Sequence, residues 1–259
     1  MAHGSPLARV RAGVVLSLVC VLLAMVPAAC GTSSATRDRH DVEWLAGADA
    51  NTATRTGIEQ LLSEPWPDAI EVRSQSADTD QPPVLLASCR DYLDVADLEV
   101  RPFAGGGGMF AIFQAHALEC QALALTRDAR PAAVSHLRTL AFDETLPDHV
   151  PWQVAMIVSS AEAGRIAAAR PRASWRQVLF DPLTEVSSCG PHCGHYGDPV
   201  QEQWVSLVAR GDFDGDGIED LLLRSSDAAK GGSYRAVRML LVTRREPGGR
   251  VAVIRELEY

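Results

Sequence analysis

The ten residues Gly211-Asp212-Phe213-Asp214-Gly215-Asp216-Gly217-Ile218-Glu219-Asp220 constrain this chain more than any other segment. Aspartates at 212, 214 and 216 put three carboxylates on one tightening turn, and Gly215 and Gly217 supply positions where a positive φ carries no steric cost. Carboxylates crowded in this way repel one another unless a cation lies among them. Calcium takes six to eight oxygens at about 2.3–2.6 Å. The expected ligands are the side chains of Asp212, Asp214, Asp216 and Asp220 and the backbone carbonyl of Ile218, which leaves the Ile218 side chain for a core and turns Glu219 toward water. An EF-hand needs a glutamate at its twelfth loop position, which is Leu223 here, so the loop is not an EF-hand.

Strand-like runs flank the loop, Gln203–Val208 before it and Leu221–Leu223 after it. With those flanks the segment resembles the FG-GAP or VCBS-type repeat, whose pattern reads G-D-F-D-G-D-G-x-x-D-L-L. The resemblance covers about 20 of the 259 residues. It implies a calcium ion in a β-hairpin connection, held by Asp212, Asp214, Asp216, Ile218 and Asp220. Proteins of that family that close into propellers carry many copies, whereas this chain has a single one, so a closed propeller is not expected.

The N-terminal stretch has the features of an export signal. Arg9 and Arg11 precede an apolar run from Ala12 to Val26, followed by the small residues Ala28 and Ala29. That run is shorter than the roughly 20 residues that span a bilayer and suits a secretory signal, so residues 1–29 are excluded from the fold. Val26-Pro27-Ala28-Ala29-Cys30-Gly31 is similar to a bacterial lipobox, with Pro27 where leucine is usual. The resemblance implies that Cys30 becomes a lipid-bearing N-terminus. Gly31 in place of aspartate resembles lipoproteins sorted to the outer membrane. Residues 31–36 read as a small, polar tether. Cleavage after Ala29, releasing an unanchored protein, is the alternative.

Cysteines and charge agree with an exported protein. Cys89, Cys120, Cys189 and Cys193 remain after Cys20 and Cys30 are set aside. Four cysteines in an oxidising compartment make two disulfides with three connectivities, of which Cys89–Cys120 with Cys189–Cys193 is the local choice. The net charge of −9 becomes more negative once Arg9 and Arg11 leave, which opposes binding to nucleic acid or anionic lipid heads.

Hydrophobic spacing divides the rest. Residues 30–82 read as a lipidated cysteine and a poorly ordered tether, with a helix near Thr56–Ser63 and an apolar landmark at Trp66. Residues 83–200 read as mainly helical. Leu85, Leu86, Cys89, Tyr92 and Leu93 recur at helical spacing, as do Phe110, Phe113, Ala117, Cys120 and Leu123 from Met109 to Arg127, and shorter helices are expected at Ala132–Leu140 and Ser159–Ala169. Residues 201–259 contain strand candidates at Trp204–Arg210, Asp220–Ser225, Tyr234–Arg244 and Arg250–Glu256, a four-stranded antiparallel meander. The expected fold is α+β: a disulfide-stapled helical N-terminal half packed on a C-terminal four-stranded sheet that resembles one propeller blade.

Other constellations carry less. Cys189, His192, Cys193 and His195 have the composition of a zinc or copper site. Structural zinc sites draw ligand pairs from separated segments, so a disulfide-closed turn with two exposed histidines is expected instead. Gly105–Gly108 lacks the lysine and hydroxyl of a phosphate loop and reads as a hinge. G-x-S-x-G, H-E-x-x-H and S-x-x-K are missing, and His116, His136 and His149 have no nucleophile in register. These observations point to a calcium-binding envelope protein with a structural or protein- or polymer-binding role, in which Trp204 or Tyr234 would mark a binding patch on the sheet. A periplasmic hydrolase, or a zinc or copper protein using the Cys189-to-His195 cluster, is the rival reading.

Overall fold

The structure is a computed structural model and describes residues 40–46, 55–74, 82–103, 106–179 and 182–259. The expected signal, Cys30 and the tether to residue 36 lie outside those residues. Strand β1 (Glu43–Trp44) is followed by helix α1 (Arg55–Ser63), strands β2 (Pro65–Ser74) and β3 (Val84–Ser88), helix α2 (Cys89–Val95), strand β4 (Val100–Pro102) and helix α3 (Gly106–Asp128). Three short helices come next, α4 (Leu146–His149), α5 (Ser160–Ala169) and α6 (Trp175–Val178). The chain closes with β5 (Glu185–Gly190), β6 (Cys193–Gly197), β7 (Gln201–Gly211), β8 (Asp220–Ala229), β9 (Arg235–Thr243) and β10 (Ala252–Glu256).

The fold is α+β. The C-terminal sheet is larger than the expected four strands: it runs β10-β9-β8-β7-β6-β5, all antiparallel, and β1 adds to β7. Strand β7 is long enough to share one edge between two partners. Its residues 202–206 pair with β6 and its residues 209–210 pair with β1. Strands β5 and β6 occupy the end of the region expected to be mainly helical. Their register, Val186↔Tyr196 and His195↔Trp204, carries the hairpin onto β7.

Both faces of this sheet are buried, whereas the sequence suggested one face packed on the helices. Leu222, Met239 and Leu241 face a core made with Ile58, Leu86, Phe113 and Leu118. Leu221, Leu223, Leu240 and Val242 face a second core with Phe142, Leu146, Val154 and Trp175. Burial on both sides explains why Leu221-Leu222-Leu223 reads as a continuous apolar run instead of an alternating one. Each fully buried leucine contributes roughly 1.5–3 kcal/mol.

On the first face, α1, α2 and α3 lie with a second sheet of order β3-β2-β4. Helix α3 is buried on several sides, against α1, α2, β9 and β7. The disulfide Cys89–Cys120 joins α2 to α3, and Cys189–Cys193 closes the β5–β6 turn. Four expectations change here. The predicted helix from residue 83 begins at Cys89, because Val84–Ser88 pairs with β2; alternation leaves Leu85 61% exposed and Leu86 fully buried. Ser88 caps α2 by accepting from Asp91 N at 3.3 Å, which fixes that start. Gly106–Gly108 form the first turn of α3 instead of a hinge, carried by the packing of the turns that follow. The Ala132–Leu140 helix is absent, since that segment bonds to the acidic loop. Residues 55–74, expected in the poorly ordered tether, build α1 and β2, where Ile58, Leu62, Ile70 and Val72 reach the core.

Among the described residues, no helix is long and apolar enough to cross a membrane.

Candidate metal centre

The acidic loop joins β7 to β8. Gly215 and Gly217 have φ of 84° and 85°, so a side chain at either would strain the turn. Asp212 is the internal anchor: its Oδ1 accepts from Gly215 N at 2.7 Å and its Oδ2 from Gly217 N at 3.0 Å. Asp214 Oδ1 accepts from Asp216 N at 3.1 Å and Asp216 Oδ1 from Ile218 N at 2.8 Å. These bonds explain the two-residue spacing, because each aspartate turns the chain by accepting from an amide two or more residues on.

The result is convergence. Oxygen atoms of Asp212, Asp214 and Asp216 lie within 4.8 Å of one another. Two ligands on opposite sides of a calcium ion are about 4.6–5.2 Å apart, so the spread suits that ion and the donors are all hard oxygens. Asp212 is buried, while Asp214 and Asp216 open to solvent.

Asp220 stands at the base, fully buried, with Oδ2 accepting from Phe213 N at 3.0 Å. Its Oδ1 has no donor in hydrogen-bond geometry among the described residues. Burial pushes the carboxyl up to about 6; the nearby Thr243 hydroxyl and the Phe213 N–H oppose the shift, and the charges of Asp214 and Asp216 add to it. Asp220 does not join the convergent set of Asp212, Asp214 and Asp216 oxygens, though it lies near enough to Asp214 and Asp216 to feel their charge. Ile218 is half-buried and forms a parallel bridge with Val134.

A strap that the sequence did not reveal holds the loop in place. Arg130 and Asp212 exchange backbone bonds at 3.0 and 2.8 Å, Ala133 N and Val134 N donate to the Gly217 carbonyl at 2.9 and 3.2 Å, and Glu219 N donates to Val134 O at 2.8 Å. Glu219 does not face water. It is fully buried, accepts from the Ser135 hydroxyl and lies 3.6 Å from the Arg138 guanidinium. The only sequence signal for this was an acidic residue between two positions whose neighbours point inward.

The Cys189-to-His195 cluster does not assemble as a metal set. Both thiols are spent in the disulfide. His192 and His195 are half-buried, not exposed; the His195 ring lies 4.8 Å from that of Trp204, with Nε2 4.0 Å from Glu202. Trp204 and Tyr234 are themselves half-buried, so neither marks an open aromatic patch. His116 stacks on Trp66 at 4.4 Å. Comparison with protein-family models, curated proteins and solved structures finds no match to this chain, and the site rests on its own geometry.

Proposed function

We propose that this chain is an exported, lipid-anchored protein of a bacterial cell envelope, in which one calcium ion braces the central sheet of a binding or structural module. The observation that carries the reading is the convergence of Asp212, Asp214 and Asp216 oxygens within 4.8 Å on a loop already folded by its own amide bonds. Asp220, buried with an unpartnered oxygen at the loop's base, supports a fourth carboxylate ligand, and the resemblance to FG-GAP and VCBS loops supports the Ile218 carbonyl as a fifth. Anchoring through Cys30, in the outer membrane and facing the periplasm or exterior, follows from the lipobox-like stretch, and the two disulfides suit an oxidising compartment.

In this reading the ion ties β7, β8 and the strap at residues 130–138 together, and the module offers its surface to another envelope protein or a polymer. Calorimetry on residues 37–259 tests it, beside the Asp214→Ala, Asp216→Ala double variant. One calcium per chain, lost in the variant, is expected, with affinity near the ~10⁻⁴–10⁻³ M of extracellular modules or tighter. No heat of binding at millimolar calcium would sink the reading.

A further inference from the structure

We propose that the cavity between α2, α3 and the β9–β10 end of the sheet is a binding site for an organic cation with an apolar body, an alkyl- or arylammonium group. The cavity holds about 610 Å³, within the range of sites for small ligands. Its floor is apolar and aromatic: Tyr92, Phe113, Leu118 and Leu257 line it and are buried. Phe110 and Tyr259 stand at its edge, their rings 5.8 Å apart and nearly perpendicular. Aromatic faces carry negative quadrupole density and attract cations, more strongly where water is excluded.

The charges around the mouth point the same way. Glu99, Glu256 and Glu258 line the cavity together with Arg101 and Arg238. Arg238 is already matched: its Nε lies 3.2 Å from the buried carboxylate of Asp227, and its other nitrogens donate to the carbonyls of Gln153, Val154 and Ala155. Glu256, 4.0 Å from Arg238, shares it with Asp227, which leaves Glu99 and Glu258 facing Arg101. The field at the mouth is negative, as is the chain as a whole.

Glu99 is the one non-glycine residue among those described with a positive φ, at 47° and ψ 61°. It closes the 3-10 turn Ala96–Leu98, where a left-handed residue is the usual way for a helical turn to end. Glu99 is exposed and stands at the rim of the cavity. The cavity shares no residue with the acidic loop, and the two meet β9 at opposite ends, Val237 and Thr243, so failure of either assignment leaves the other standing.

The test is a titration of the full chain, followed by calorimetry, with 2-phenylethylammonium, its neutral counterpart 2-phenylethanol and the anion 3-phenylpropanoate. Saturable binding of the ammonium is expected, about tenfold tighter than the alcohol, with the carboxylate weakest. Glu258→Gln and Phe110→Ala should each weaken it severalfold. Glu99→Gly should weaken it while leaving the melting temperature unchanged or higher, because glycine relieves the positive φ. Equal affinity for ammonium and alcohol, preference for the carboxylate, no binding of any probe at millimolar concentration, or variants that bind as the parent does would each overturn the proposal.

Discussion

The two faces of the central sheet are covered by chain of opposite kinds. On one face lie α1, α2, α3 and the small β3-β2-β4 sheet, regular elements that satisfy their own backbone groups and are stapled by Cys89–Cys120. On the other lie residues 130–179, mostly short helices and turns. An irregular cover leaves amide and carbonyl groups without partners, and burial makes each of them costly. The sheet supplies what is missing. Gln203 accepts from Met156 N at 3.1 Å and donates to Val154 O, Arg238 donates to three successive carbonyls at Gln153, Val154 and Ala155, and Arg244 donates to His136 O at 3.0 Å. One cover is held by packing and a covalent bond; the other adds to its own apolar core a set of polar side chains reaching from β7, from β9 and from the residue after β9. The polar ties of the second cover rest on few residues, so single substitutions at them should loosen it more than single substitutions loosen the first.

Arg238→Ala should be the most damaging single change. It strands Asp227, which is buried and raised in pKa by that burial, and leaves three carbonyls short of donors. A loss of about 3–5 kcal/mol is expected. Urea unfolding that shows less than about 1 kcal/mol of loss would mean that the irregular cover is held mainly by its apolar contacts.

Removing the staple from the other face, with Cys89→Ala and Cys120→Ala together, should cost about 3–4 kcal/mol for a bridge across 31 residues. Hydrogen exchange should then rise in α2 and α3 more than in α4 and α6. Uniform acceleration across both covers would show that the two faces unfold as one unit and would blunt the contrast.

Calcium comes next. If the ion binds as proposed, a hundredfold excess over its dissociation constant should stabilise the chain by about 2.7 kcal/mol. The gain should appear as slower exchange at Ala133, Val134 and Glu219, whose amides bond across the loop and strap. A calcium effect confined to residues 212–218 would mean that the strap is not coupled to the ion.

The smallest effect concerns His116, on the regular side. Burial against Trp66 lowers its pKa below the ordinary value of 6.5, with Glu119 partly opposing the shift. The native state therefore holds this ring neutral where the unfolded chain takes a proton, so its contribution is present above the ordinary pKa and is lost as pH falls from that value through the lowered native one. Melting curves between pH 7 and pH 5 should show a decline that His116→Gln flattens. An identical slope in the variant would locate the acid sensitivity elsewhere.

Legibility in the sequence followed the same division. Helix α3 was visible because Phe113, Ala117 and Cys120 repeat at helical spacing, and the β7–β10 meander because its strands are broken by glycine-rich turns. Residues 132–140 misread as a helix because alanine and leucine there satisfy propensity, while the bonds to Gly217 and Glu219 that keep the segment extended come from more than eighty positions away. Leu85 misread for a related reason, since helical spacing and strand alternation give the same short run of apolar residues.

Local chemistry was enough to place Asp212, Asp214, Gly215, Asp216 and Gly217 in one turn and to pair the cysteines with near neighbours, because each of those features closes within a few residues or joins adjacent helices. Tertiary structure alone decided that both faces of the sheet are buried, that Glu219 turns inward onto Ser135 and Arg138, and that Tyr92, Glu99, Phe110 and Glu258 surround one cavity. Those facts depend on contacts between distant segments, and no periodicity within a single segment carries information about what will pack across from it.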